Sequence, residues 1–218
     1  MKKEVIKTAD GSFTLFSRDV GEHYHSVFGA VQESEHIFID AGLKYVCRSK
    51  SAVSVLEVGF GTGLNFLLTL KFALENGVKI DYTGIEPRLP EQNLLRKLNY
   101  PEMLNFNKDV FLKIHEEKRG ELNGLVKYRI ITGGIQNVTL EKERYNLVYF
   151  DAFSPEVQPE MWEAAIFGKI FESMRHEGIL TTYSCKGDVK RALKKAGFGL
   201  EKLPGPPGKR EFLRALKF

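Results

Sequence analysis

The stretch Val53-Ser54-Val55-Leu56-Glu57-Val58-Gly59-Phe60-Gly61-Thr62-Gly63-Leu64-Asn65 joins an apolar strand to a helix through a tight glycine loop. Residues 53–58 form a short apolar run rich in valine, the composition of a buried strand. Apolar residues then recur at helical spacing over 64–74. Between them lie three glycines with no room for a long connection. Glycine admits positive φ and lets backbone approach a ligand closely, and a helix start offers unpaired N–H groups and a positive dipole end. The spacing narrows the ligand. A dinucleotide fingerprint, G-x-G-x-x-G, requires glycine at 64, where this chain has Leu64; its third glycine is Gly63.

Apolar runs at 80–85, 126–131, 145–150 and 179–183 alternate with helical patterns at 90–98, 159–174 and 188–196. That alternation predicts right-handed crossovers and a doubly wound, mostly parallel α/β sheet. Toward the C-terminus, runs at 198–203 and 211–218 are joined only by Pro204-Gly205-Pro206-Pro207-Gly208. A return without a helix predicts an antiparallel pair, for seven strands in all. Residues 1–50 read as a small appendage with a strand after the Asp10-Gly11 turn and a helix over 33–48, so the expected division is 1–50 and 51–218.

Composition limits the setting. A chain of 218 residues buries about 70% of its unfolded surface and folds without staples. Cys47 and Cys185 stand far apart with no Cys-x-x-Cys, which excludes a disulfide framework and a cysteine zinc site and suits a reducing cytosol. The start Met1–Lys7 lacks a signal-peptide core, and no apolar run reaches the ~18 residues of a membrane span, so a cytoplasmic protein is expected. Charge is uneven. From Thr181 to Phe218 ten basic residues face three acidic ones, 10 − 3 = +7, against a net +4 for the whole chain. A basic end on a near-neutral body suits a polyanion such as RNA, although a solvated lysine-rich helix face has the same composition.

Two acids stand where chemistry is expected. Glu86 follows the next strand, 25 residues beyond Gly61, near the ~20-residue offset of an acid that accepts ribose hydroxyls. Asp151 closes the strand at 145–150 and opens Asp151-Ala152-Phe153-Ser154-Pro155, followed by Pro159-Glu160-Met161-Trp162. Ligands of open α/β sheets bind beyond the carboxyl ends of strands, so Asp151 should face the crevice of Gly59–Gly63. A carboxylate there can orient an amine and take its surplus proton; a helix cap is the plainer reading. Phe153 can stack on a nucleobase, and Trp162 can do the same or anchor the next helix. Lys209-Arg210, after the proline-glycine loop, can contact phosphate or begin a solvated strand. His23, His25 and His36 lack an accompanying cluster at ligand spacing, so no metal is expected. Neither a Walker lysine nor a Ser-His-Asp order is present.

The glycine loop with Glu57 upstream resembles the first motif of methyltransferases dependent on S-adenosyl-L-methionine (SAM), and the strand layout resembles their class I, Rossmann-like fold. The Asp151–Pro155 and Pro159–Trp162 segments resemble the methyltransferase part of the MnmC family. Asp10-Gly11-Ser12, Gly21–Ser26, Glu57–Phe66 and the ending Ala196-Gly197-Phe198 to Gly208-Lys209-Arg210-Glu211 are similar to it as well. The resemblance implies N-methylation of a 5-aminomethyl group on wobble (2-thio)uridine in the anticodon region of tRNA. It implies Asp151 as catalytic residue and SAM held by Glu57, Gly59, Phe60, Gly61, Thr62, Gly63, Asn65, Glu86, Gly134, Ile135, Asp151 and Tyr24. Phe153, Pro155, Trp162, Lys209 and Arg210 are then expected on the RNA side.

Two departures stand out. Where the family has Gly-Asp-Ile near the adenine, this chain has Gly133-Gly134-Ile135, leaving backbone N–H groups for that contact. The fused relatives also carry a flavin oxidase domain, for which nothing follows Phe218; the expectation is a stand-alone methyltransferase fed by another enzyme. A spermidine-synthase-like aminopropyltransferase is a rival reading, disfavoured by the +7 segment, which would repel a polyamine. A non-catalytic RNA- or protein-binding module with a vestigial SAM pocket is the other.

Overall fold

The computed structural model describes residues 3–218. Three short strands, β1 (Lys3–Lys7), β2 (Phe13–Ser17) and β3 (Glu22–His23), form a small antiparallel sheet. The larger sheet comprises β4 (Ala52–Val58), β5 (Lys79–Glu86), β6 (Arg119–Leu122), β7 (Val126–Thr132), β8 (Tyr145–Phe150), β9 (Met174–Thr182), β10 (Gly199–Pro204) and β11 (Glu211–Leu216). Its spatial order is β10-β11-β9-β8-β4-β5-β7-β6. The five central strands run parallel, and the antiparallel return of β10 and β11 is present.

Register sets up the site. Val58 lies opposite Ile85 on one side and Phe150 on the other. Gly59, Glu86 and Asp151, each at or just past a strand end, are therefore neighbours. The chain crosses from β4 to β5 on one side and reaches β8 on the other, making this the switch point where α/β sheets hold ligands.

The sheet has eight strands among the described residues, one more than expected. The addition is β6, an edge strand turned back onto β7 through Asn123 (φ 53°) and Gly124 (φ 67°). Two consecutive left-handed residues match the right-handed twist of a hairpin. Helices also differ from expectation. The pattern at 159–174 splits into a 3₁₀ turn, Pro159–Trp162, and a helix, Ala164–Ser173, because Glu163 is extended. A helix at Lys108–Glu117, capped by the Asn107 side chain, was not foreseen. The helix of the first 50 residues starts at Ala30 and is π-helical over Glu35–Leu43.

That helix packs on the sheet, with Phe38 against Tyr149 at 5.3 Å between ring centroids. Leu15, Ile37 and Phe38 join Val55, Leu67, Tyr82 and Tyr149 in one apolar cluster. On the opposite face Leu56, Phe150, Trp162, Phe167, Leu180 and Leu213 form a second. The first 50 residues thus share a core with the sheet and also wall its ligand edge.

Candidate active site

A cavity of about 560 Å³ opens at the carboxyl ends of β4, β5, β7 and β8, roofed by the segment from Glu22 to Phe28. Its floor is the glycine loop. Gly59 has φ 90°, and a Cβ built there would lie 2.3 Å from the Asp151 carbonyl oxygen. No side chain fits between the ends of β4 and β8. Gly61 (φ 51°) faces the Tyr24 ring, which a Cβ would meet at 3.1 Å.

Glu86 is nearly buried, and its carboxylate accepts from Gly61 N and Arg88 N, each at 3.0 Å. Two backbone donors leave free acceptor positions on an ionised carboxylate. Burial raises the Glu86 carboxyl above the usual range, with the two backbone donors working against it.

Asp151 is held from below. The Asn65 side-chain amide donates to Asp151 Oδ2 at 2.9 Å and to Glu57 Oε1 at 2.8 Å, and the Tyr82 hydroxyl donates to Glu57 Oε2 at 2.6 Å. One amide therefore ties two carboxylates together. Burial pushes the Asp151 carboxyl up to about 7; Glu33 pushes the same way, while Asn65 and Lys209 oppose. Burial likewise lifts Glu57 well above its ordinary value. The rest of the loop is pinned from three directions. Ser154 N donates to Glu22 at 2.9 Å, the Tyr183 hydroxyl to Ala152 O at 2.9 Å, and the Trp162 indole N–H to Phe153 O at 2.8 Å.

Of the residues singled out in the sequence, Tyr24, Gly59, Gly61, Glu86, Gly134, Ile135, Asp151, Phe153 and Lys209 line the cavity together. Others lie behind it. Glu57, fully buried, and Asn65 position Asp151 rather than the cavity wall. Phe60 turns into the core against Phe66 and His115, and Thr62 and Gly63 are covered by the same helix, Thr62 O lying 3.2 Å from the His115 ring. Trp162 packs on Phe150 and Tyr183 and is the core anchor of the Asp151 loop, not a platform for RNA. Pro155 and Arg210 do not reach the cavity. Lys209 turns inward, drawn to the buried Glu33 carboxylate, instead of outward as a phosphate clamp.

Sequence reasoning missed Glu22, Glu33, Gln136 and Tyr183, all of which line the cavity. The Gln136 side-chain oxygen lies 2.4 Å from where a Cβ at Gly134 would be, so it occupies the space a side chain at 134 would need. Among the described residues no group of His, Cys, Asp or Glu is placed to hold a metal ion, and no helix is long and apolar enough to cross a membrane.

Class I methyltransferases are the enzymes this sheet, loop and cavity define. The model of the S-adenosyl-L-methionine-dependent methyltransferase family matches residues 101–218, more than half of the chain, and the chain belongs to that family. Among curated proteins it is similar to the tRNA 5-methylaminomethyl-2-thiouridine biosynthesis bifunctional protein MnmC of Leptospira interrogans, at 27% identity over 94% of this chain and 34% of the relative. The protein of the same description from Nitrosospira multiformis is 29% identical over 92% of this chain and 35% of the relative. The chain thus spans about a third of the length of the curated relatives it matches. Among solved structures, MnmC2 from Aquifex aeolicus superimposes with a TM-score of 0.80 at 26% identity, covering 98% of this chain and 70% of that one. Spermidine synthase from Thermotoga maritima, with a TM-score of 0.53 at 11% identity over 100% of this chain and 72% of that one, shares the fold alone.

Proposed function

We propose that the protein methylates the amine of a 5-aminomethyl group on the wobble (2-thio)uridine of tRNA in the cytoplasm, using SAM. The observation that carries this reading is the Asp151 carboxylate, fixed by Asn65 and facing the same cavity as the Gly59–Gly61 loop. The relatives named for 5-methylaminomethyl-2-thiouridine biosynthesis support the choice of substrate.

The residues present suit the cofactor. Glu86 offers acceptors to a vicinal diol, Gly59 and Gly61 bring bare backbone to the cavity floor, and Gly134, Ile135 and Gln136 wall the side next to Glu86. SAM supplies a methyl group on a sulfonium, an electrophile that needs no further activation. What remains for the protein is alignment and proton removal. An amine near neutral pH arrives largely as its ammonium ion and has no free lone pair. With SAM bound, Asp151 would accept the surplus proton from nitrogen and so leave the lone pair free for the methyl group that SAM would supply. A carboxyl poised near 7 serves as such an acceptor at the pH of the cell. Phe153, edge-on to Tyr24 at 5.0 Å between centroids, offers a ring to the nucleobase.

Incubating the protein with isotopically labelled SAM and tRNA bearing 5-aminomethyl-2-thiouridine, then resolving nucleosides by mass, tests the reading. The expected product carries one labelled methyl on the side-chain nitrogen. A label-free nucleoside pool, with SAM bound normally, would discard the substrate assignment.

A further inference from the structure

Beside Asp151 the cavity holds another carboxylate, with an ammonium already seated on it. Glu33 lies at the start of the helix that begins at Ala30, with its side chain 11% exposed. Oε1 accepts a long hydrogen bond from Ser26 N at 3.3 Å. Oε2 is buried without any hydrogen-bond partner among the described residues. Lys209 Nζ stands 2.6 Å from it as an ion pair. The same Nζ lies 4.6 Å from the centroid of the Tyr183 ring, and the Tyr183 hydroxyl is anchored on Ala152 O.

A carboxylate and a fixed aromatic face together recognise a compact cation, the ring through its quadrupole and the carboxylate through charge. The Tyr183 hydroxyl and ring edge serve the fold, on Ala152 O and Trp162, while its ring face is turned to the Lys209 ammonium. The occupant is also the most easily displaced kind. Lysine carries a point charge on a flexible stem, and Lys209 follows Gly208, whose φ is +86°. The acceptor in the reading above presents the same chemical group, a primary ammonium on a single methylene, and must lodge within reach of Asp151.

We infer that Glu33 and the Tyr183 ring form the binding subsite for the acceptor's primary ammonium, with Lys209 holding that subsite until the substrate displaces it. The inference rests on methyl transfer to an aminomethyl substrate. It assigns Glu33 the recognition of charge and leaves Asp151 the removal of the proton. A neutral acceptor of the same shape then binds poorly, because it would leave the Glu33 carboxylate buried and unpaired.

The test measures calorimetric binding of 5-aminomethyluridine and of its neutral isostere 5-hydroxymethyluridine to the protein alone. Wild type is expected to prefer the amine by about tenfold or more, Glu33→Gln to lose that preference, and Lys209→Gln to bind the amine more tightly than wild type. Opposite signs separate the two roles, since a purely structural ion pair would be weakened alike from either side. Thermal unfolding of both variants identifies any that fails to fold, and the Lys209 variant then decides the matter. A Glu33→Gln protein that keeps the wild-type preference, or a Lys209→Gln protein that binds the amine more weakly, overturns the subsite. Failure of the parent reading has a different signature: the amine preference depends on Glu33, yet no methyl reaches tRNA.

Discussion

Asp151 is ionised only in part at neutral pH, and this has consequences for both rate and stability. Its carboxyl is raised from an ordinary 3.8 to about 7 by burial, with Glu33, Glu57, Tyr82, Tyr183 and Lys209 among the charged or titratable groups around it. Only the ionised form can accept a proton, so kcat/KM is expected to rise with pH and level off above about 7. A profile flat from pH 5.5 to 8.5 would remove Asp151 as the acceptor. The stability sign is the reverse. A raised acid in the folded state means the native protein binds the proton more tightly than the unfolded chain, so stability falls as pH climbs from about 4 to about 7. Asp151→Asn should therefore be more stable than wild type at pH 8, by on the order of 2 kcal/mol, with the gap closing near pH 4. Differential scanning calorimetry at the two pH values measures it. Transfer activity in that variant should drop by about 10²-fold. Asn65→Ala acts on the same carboxylate from below. Removing the amide leaves Glu57 and Asp151 close together without their shared donor, and a loss of roughly 1–3 kcal/mol is expected. The kcat should fall while SAM affinity measured by calorimetry holds, because Asn65 does not line the cavity.

Glycine loops of the same sequence type do different work according to the element that carries them. At Gly59 the ends of β4 and β8 meet, and a Cβ would sit 2.3 Å from the Asp151 carbonyl oxygen. Gly59→Ala should cost about 3 kcal/mol or more and weaken SAM binding, since either the loop or the Asp151 strand end must move. At Gly124, also left-handed (φ 67°), a Cβ meets nothing within 4 Å. There Gly124→Ala should cost only ~1–2 kcal/mol, with SAM affinity unchanged because β6 lies at the sheet edge away from the switch point. Thermal shift with and without SAM distinguishes the two; equal losses of ligand response would refute the assignment of Gly59 to the cavity floor. The same elements show what was legible beforehand. β4 and β8 stood out as near-continuous apolar runs and β7 as an alternation that buries Val126, Tyr128 and Ile130, and the acids and glycines at the strand ends followed directly. The edge strand β6, Arg119-Gly120-Glu121-Leu122, has no alternation to read; only the Asn123-Gly124 turn signalled it. The π-helical winding of Glu35–Leu43 depends on which carbonyl each N–H reaches, which side-chain periodicity does not encode. Glu33 was invisible for another reason: its partners Lys209 and Tyr183 come from the opposite end of the chain.

The electrostatic asymmetry of the whole molecule survives folding, but in a narrower form than the sum of charges suggests. Within the basic C-terminal part, Lys186 pairs with Glu156, Arg191 with Asp188, Lys202 with Glu211, Lys209 with Glu33 and Arg214 with Glu201. Lys190, Lys194, Lys195 and Arg210 form no ion pair among the described residues; the three lysines lie on the helix Gly187–Lys195. That helix begins four residues after Tyr183, which lines the cavity, and Lys186, its N-cap, pairs with Glu156 beyond Asp151. A polyanion whose modified base enters the cavity can therefore run along this helix without breaking an existing pair. Surface pairs already satisfied release few counterions, whereas each free lysine that neutralises a phosphate contributes about 0.7–0.9 to the slope of log affinity against log salt. Changing Lys190, Lys194 and Lys195 together to Gln should raise the KM for tRNA and reduce that slope by roughly 1–3, with kcat at saturating tRNA unchanged. Filter binding of tRNA over a potassium chloride series measures the slope directly. If the triple variant keeps the wild-type slope, the RNA backbone follows another face, and Arg210 with the roof segment Glu22–Phe28 becomes the surface to vary next.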